Sequence, residues 1–180
     1  GWTAPPYTKT YVDGTIKPAS IWDPTQYLNF WVVPDYSSGA IQLLGHGTFP
    51  ANSTLTGLSA PFGSATSDGV VMWYKAFGRV GNLDPLYNKG RTTTHELGHW
   101  LGLRHIWGDA NCGNDFCNDT PTQQTANYGG FNPPYPCPGF PLVTCGNGPN
   151  GDMWVNFMDY TYDKCLNMFT NNQKTRMVTA

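Results

Sequence analysis

One stretch, TTTHELGHWLGLRH at residues 92–105, decides which fold and chemistry to expect of this 180-residue chain. It contains three of the four histidines and the single glutamate of the sequence. His95 and His99 are four positions apart, so on an α-helix their imidazoles lie on one face, one turn apart. Both rings can then bind one Zn²⁺ ion, with each nitrogen about 2.0–2.1 Å from the metal.

Three more residues of this stretch complete a catalytic zinc site. Glu96 follows His95 directly, so its carboxylate can face the same cleft and accept a proton from zinc-activated water. Gly102 suits the position just after a helix, where a positive φ is easy, and it lets His105 return to the metal. Three neutral imidazoles leave one coordination position open, as in catalytic zinc sites. A bare HExxH motif occurs by chance, but this longer pattern is far rarer.

Length and composition favour one domain, residues 1–180, of a secreted enzyme. The net charge is −2, charged residues make up only 12%, and no basic patch indicates nucleic acid. No apolar stretch approaches the roughly 20 residues that span a bilayer. The first residues resemble neither a signal peptide nor the start of a chain at an initiator methionine. We therefore expect a trimmed chain whose targeting segment lies outside it.

The five cysteines all follow the histidine stretch, in the loop-rich half of the sequence. This clustering favours disulfides across long loops, with one thiol left over, rather than free thiols in a cytosolic protein. Spacing alone does not establish the pairing, because four cysteines allow three connectivities.

Residue patterns predict three strands and two helices. Strands are expected at residues 28–33, at 41–49 and, centrally in a sheet, at 69–74. Residues 1–26 read as irregular. One helix is expected from Asn88 or Lys89 through Leu101, and a final one within residues 166–178, capped by Thr170.

The motif HELGHWLGLRH resembles the extended H-E-x-x-H-x-x-G-x-x-H motif of the metzincin zinc metallopeptidases. Asn156-Phe157-Met158-Asp159-Tyr160 is similar to their Met-turn. More closely, the chain resembles the pappalysin (cytophagalysin) family in its bacterial branch. The segments that carry this resemblance are 90–94, 104–109, 118–121, 156–160 and 169–173.

The resemblance implies a mixed α/β (α+β) metzincin-like catalytic domain. Its upper lobe, about residues 1–104, would hold a twisted, mostly parallel sheet and helices. Its loop-rich lower lobe, about 105–180, would hold the Met-turn and the C-terminal helix, with zinc between the lobes. It also implies a role for each site residue: zinc ligation by His95, His99 and His105, general-base catalysis by Glu96, an apolar floor from Met158, and oxyanion stabilisation by Tyr160.

Calcium and disulfides are implied in the lower lobe. Residues 109–120 are dense in oxygen donors, but EF-hand spacing is absent, and such loops are usually turns. The resemblance raises the expectation of structural Ca²⁺ at Asp115, Asp119 and Thr120, with Asp152 a weaker candidate. It also implies the pairs Cys112–Cys145 and Cys137–Cys165. Cys117 would be a buried free thiol, or it would replace Cys112 in the disulfide with Cys145.

Metzincins bind substrate as an added strand along a sheet edge. Gly45-His46-Gly47 is the candidate edge here, with His46 either at the cleft rim or simply exposed on the surface. Family members with an acidic residue at the base of the S1′ pocket prefer basic side chains. If Asp163 faces this pocket, Arg or Lys at P1′ should be favoured. If Lys164 faces it instead, that preference should weaken or reverse.

These features predict a secreted, zinc-dependent endopeptidase that acts on protein or peptide substrates. We expect a monomer without nucleic-acid partners or a membrane span, and any propeptide would lie outside the chain. A gluzincin is disfavoured because no second glutamate exists to act as its third ligand. The alternative is a non-catalytic, metal-stabilised binding or adhesion module of the same fold. That module would have lost its base or a ligand, and all four residues are present.

Overall fold

A central sheet of three strands backs the histidine stretch in the computed structural model, which describes residues 7–180. Its order is β2 (Phe30–Val33), β6 (Val70–Trp73) and β5 (Gly45–Gly47). β2 pairs with β6 in parallel and β5 pairs with it antiparallel. Val70, Val71 and Met72 are fully buried, as the predicted central strand requires, because both faces of β6 are covered.

A second small sheet joins β1 (Tyr7–Thr8), β3 (Tyr36–Ser38) and β4 (Ile41–Gln42). The strand predicted at 41–49 is therefore two strands in two sheets, β4 here and β5 in the central sheet. Each sheet combines one parallel and one antiparallel pair. The mixed α/β class is confirmed, with a larger antiparallel share than expected.

The predicted irregular entry segment is wrong for residues 9–20, which are helical; residues 1–6 lie outside the described part. Helix α1 (Lys9–Tyr11) leads through a π-helical turn at Val12–Ile16 into α2 (Lys17–Ser20). The turn signal of Asp13-Gly14 is overridden because Val12 and Ile16 pack into an apolar core with residues of β2, β3 and β6.

The first of the two longer helices is shorter than predicted, and the second lies within its predicted range. α3 spans Arg91–Trp100. It cannot begin earlier, because Gly90 just before it has a left-handed φ of +72°. α4 spans Asn171–Val178. Its N-cap is confirmed at Thr170, which forms a capping box with Gln173. No described helix has the length and apolarity that crossing a bilayer requires.

Between residues 105 and 170 the chain is loops and turns apart from a bridge between Asn156 and Met168. An apolar cluster anchors this region beneath α3, formed by Leu103, Ile106, Cys117 and Met158. The loops therefore pack against the same helix that carries the histidines.

Candidate active site

Three histidine nitrogens converge at the end of α3. Nε2 of His99 lies 3.1 Å from Nε2 of His95 and 3.2 Å from Nε2 of His105. The opposite nitrogen of two of these rings is held by backbone: Nδ1 of His95 bonds the Phe157 carbonyl at 2.7 Å, and Nδ1 of His99 the Leu103 carbonyl at 2.8 Å. These two bonds turn the Nε2 atoms of His95 and His99 toward that of His105.

The donor set fits zinc. Two ligands about 2.0–2.1 Å from a tetrahedral Zn²⁺ stand about 3.3–3.4 Å apart, close to the observed separations. Burial lowers the pKa of His95 well below its usual value and that of His99 to about 3, so both rings are neutral, as metal ligation needs. Within residues 7–180 these histidines form the one group of three or more His, Cys, Asp or Glu side chains with ligand atoms close enough for a metal.

Asp109 orients the third histidine, a role that sequence reasoning did not assign. Its Oδ1 lies 2.5 Å from Nδ1 of His105, and its Oδ2 accepts a bond from Arg104 at 3.3 Å. Carboxylates of this kind fix the tautomer and direction of a metal-binding imidazole. The i,i+4 spacing from His105 to Asp109 was the available signal.

Glu96 is buried beside this point. Burial raises the pKa of its carboxyl to about 8, opposed by a hydrogen bond from the backbone N–H of Gly47. Gly45 packs on the same side chain, since a Cβ there would come 2.9 Å from Cγ of Glu96. Edge strand β5 therefore touches the predicted general base directly.

Gly102 ends α3 as predicted for its position. Its φ is +83°; its N–H bonds the His99 carbonyl at 2.8 Å, and the Leu103 N–H bonds the Gly98 carbonyl at 2.8 Å. This is a Schellman arrangement, which needs a left-handed residue at that point. The turn brings His105 back toward the two helical histidines.

Met158 lies under the site and is fully buried. It contacts α3 at Gly98, where a Cβ would stand 2.4 Å from the Met158 sulfur. Gly98 thus leaves room for the floor of the site, a function that the motif spacing alone did not reveal.

Tyr160 stands at the open side of the histidine cluster. Its hydroxyl lies 2.9 Å from Nε2 of His105, and the residue is 38% exposed. Its backbone N–H donates to the buried carboxylate of Asp159 at 2.8 Å. Asp159 in turn accepts two bonds from Asn127 and one from Gln123, which ties Tyr160 to the loops.

A cleft of about 580 Å³ opens beside these groups. Gly45 and Asp163 line it, whereas Lys164 does not and instead donates to the Pro134 carbonyl at 2.9 Å. Lys164 therefore does not compete with Asp163 here.

Both alternatives for His46, cleft rim or exposed surface, are wrong. Alternate residues of a strand face opposite sides, and β5 turns its glycines toward α3. The lining of the cleft also includes Leu43, Leu44, Trp73, Asp84, Tyr87, Glu96, Tyr128 and Tyr160, but not His46.

The structure pairs Cys112 with Cys145 and Cys137 with Cys165, and Cys117 is a buried free thiol. These are the pairs that the resemblance implied, with Cys117 in the first of its two roles.

The predicted calcium residues are only partly together. The Thr120 hydroxyl lies 2.9 and 3.0 Å from the two carboxylate oxygens of Asp115. Oδ2 of Asp119 instead accepts the Asn172 N–H at 2.9 Å, at the start of α4. Asp119, Thr120 and Asp152 line one surface depression of about 510 Å³.

The fold matches solved metalloprotease structures. Mature mirolysin of Tannerella forsythia, in complex with a cleaved peptide, superposes with a TM-score of 0.71 at 43% identity, over 87% of this chain and 53% of that one. Mirolysin in complex with compound 9 gives a TM-score of 0.70 at 44% identity, with the same coverage of 87% and 53%. The fold is that of a metzincin.

The family follows from sequence comparison. A family model described as "Pregnancy-associated plasma protein-A" matches residues 11–180. An extracellular metalloprotease of Colletotrichum graminicola is 38% identical over 152 residues, which is 83% of this chain and 48% of that protein. One of Arthroderma otae is 37% identical over 157 residues, 85% of this chain and 50% of that protein. The chain belongs to the pappalysin family of metalloproteases, and it spans about half the length of these two relatives.

Proposed function

We propose that this chain is a single catalytic domain, residues 1–180, of a secreted zinc-dependent endopeptidase. The observation that carries the proposal is the convergence of three imidazole Nε2 atoms next to a buried carboxylate, at the edge of an open cleft. His95, His99 and His105 would hold the ion. A non-catalytic binding module would not need Glu96 in this position.

Bound zinc supplies Lewis acidity, which makes water a stronger nucleophile and polarises a carbonyl. Glu96 then takes the proton from the attacking water on its carboxylate. A base with a pKa near neutrality both accepts and returns a proton, so the same oxygen can deliver it to the leaving amine. Tyr160 directs its hydroxyl toward the oxyanion that develops in the cleft.

Replacement of the base tests this function. Glu96→Ala should bind zinc as the wild type does, yet lose at least about 100-fold in kcat, the usual contribution of a general base. Casein cleavage with and without 1,10-phenanthroline, together with metal content, measures both. Undiminished cleavage by the zinc-loaded variant would remove Glu96 from the mechanism. A wild type that binds zinc but cleaves nothing would favour the binding module.

We propose that peptide substrates lie along β5 and that Asp163 favours Arg or Lys at P1′. Its Oδ2 accepts backbone N–H groups of Lys89 at 2.7 Å and Arg91 at 3.2 Å. Burial raises the pKa of Asp163, so a cationic substrate group would stabilise the charged form. A peptide-library cleavage profile should lose its basic P1′ preference in Asp163→Asn. Lys164→Ala is the matched control and should keep that preference.

Two further features support the extracellular proposal. The curated relatives are named extracellular metalloproteases. Two disulfides in the loop-rich region suit an oxidising compartment.

Structural calcium is proposed at Asp115 and Thr120, with Asp119 and Asp152 nearby on the lower surface. Burial raises the pKa of Asp115, and a bound cation would offset the cost of its charge. Calcium should raise the melting temperature of the zinc-loaded protein, and Asp115→Asn should abolish that increase. A calcium-insensitive melt would remove the site.

A further inference from the structure

A buried polar cluster lies behind β5, on the side away from the cleft. Nδ1 of His46 is hydrogen-bonded with the Tyr36 hydroxyl, and its Nε2 lies 3.3 Å from Nζ of Lys17 and 3.2 Å from Oδ1 of Asp13. Lys17 and Asp13 form an ion pair at 2.8 Å. We call these four side chains the His46 network.

Three of the four side chains are largely removed from solvent, whereas the Asp13 side chain is 30% exposed. Lys17 and Tyr36 are fully buried, and the His46 side chain is 12% exposed. Burying charged and polar groups costs free energy unless they are paired, and a buried ion pair is often no more stabilising than an apolar replacement. Stability alone therefore gives a weak reason for this cluster.

The members come from three separate parts of the upper region. Asp13 and Lys17 lie in the helical stretch of residues 9–20, Tyr36 is in β3 and His46 is in β5. The network thus ties β5 to two elements that are not its sheet neighbours. β5 is only three residues long and pairs with β6 on one side in the described sheet. Its placement consequently depends on anchoring by side chains.

The opposite side of β5 touches the base. A Cβ at Gly47 would stand 2.5 Å from the Glu96 carbonyl oxygen, and a Cβ at Gly45 would stand 2.9 Å from Cγ of Glu96. His46 is the residue between the two glycines that contact Glu96. Any shift of its imidazole is passed through one peptide unit to a glycine that packs against Glu96.

We propose that His46 is a positioning residue, which holds β5 so that Gly45 and Gly47 keep Glu96 oriented for proton transfer. The inference rests on the proposed role of Glu96 as general base. A misplacement of about 1 Å far from the chemistry can cost about 100-fold in rate, so a smaller shift should cost about 10-fold. The loss should fall on kcat, because the anchored group acts on the base.

Steady-state kinetics on an internally quenched peptide that the wild type cleaves will test this. His46→Ala removes the imidazole, and Tyr36→Phe removes only the hydroxyl that bonds it. Both should bind zinc fully, with kcat about 10-fold lower and KM within about twofold of wild type. Val33→Ala is the matched control. It weakens the same apolar core without removing a network group, and should leave kcat within about twofold.

The network also predicts non-additivity. The double variant His46→Ala/Tyr36→Phe should lose about as much kcat as His46→Ala alone, because both changes act on one anchor. Unchanged kcat in both single variants, an effect on KM alone, or an equal kcat loss in Val33→Ala would each overturn the inference while the wild type remains active. An inactive zinc-loaded wild type would instead overturn the proposed function, and this inference with it.

Discussion

Helix α3 and the loops of residues 105–170 supply the site in different ways. The helix brings His95, Glu96 and His99 together within five residues of sequence. The loops supply Met158 and Tyr160, which lie far from the helix in sequence and belong to no helix or paired strand. The geometry of one half of the site is thus set by the periodicity of a helix, and that of the other half by contacts between distant parts of the chain.

This difference indicates which substitutions should disturb the geometry of the site most. A helix holds its spacing through backbone bonds that most substitutions leave intact. The loops have few such bonds, so their geometry depends on two disulfides and on buried carboxylates such as Asp159. Substitutions that cut a long-range link should therefore have larger effects than those that remove a local one.

The largest effect is expected from removal of a disulfide. Cys137→Ala/Cys165→Ala opens a link between residues 28 apart in sequence, which should lower the free energy of unfolding by about 3–4 kcal/mol. Urea denaturation of the zinc-loaded protein measures it. The control Cys117→Ala removes the free buried thiol and should cost about 1 kcal/mol. Equal losses would show that the loops do not depend on the link.

Gly102 sits where the two regions meet and should give an intermediate effect. Gly102→Ala places a Cβ at a φ of +83° and 2.5 Å from Leu55, which should cost about 2–3 kcal/mol and weaken zinc binding by His105. Gly78→Ala isolates the backbone part, because its φ is +89° with no atom within 4 Å, and should cost about 1 kcal/mol. Denaturation and zinc titration compare them. If the two variants match, packing at the junction is unimportant.

The smallest effect is expected at a local feature of the lower half, the capping box of α4. Thr170→Ala removes the side chain that accepts the Gln173 N–H and should cost about 1 kcal/mol. Thr175→Ala, inside the same helix and exposed, should change stability by less than about 0.5 kcal/mol. Thermal unfolding resolves the two. A loss above that of the disulfide variant would reverse the proposed ranking of local and long-range contacts.

Sequence reasoning succeeded where local rules apply. The central strand, the N-cap at Thr170 and the left-handed turn at Gly102 follow from patterns of a few residues. It failed at residues 9–20, where packing of Val12 and Ile16 overrides a turn signal, and at 41–49, where one apolar run is shared between two sheets.

By itself, the sequence determined the spacing of the three histidines, the adjacent glutamate and the turn that returns His105, because helical periodicity and a glycine after a helix are local properties. Only the tertiary structure decided which way His46 faces and that Asp163 rather than Lys164 lines the cleft. Those outcomes depend on which distant elements pack together, and no short pattern specifies that.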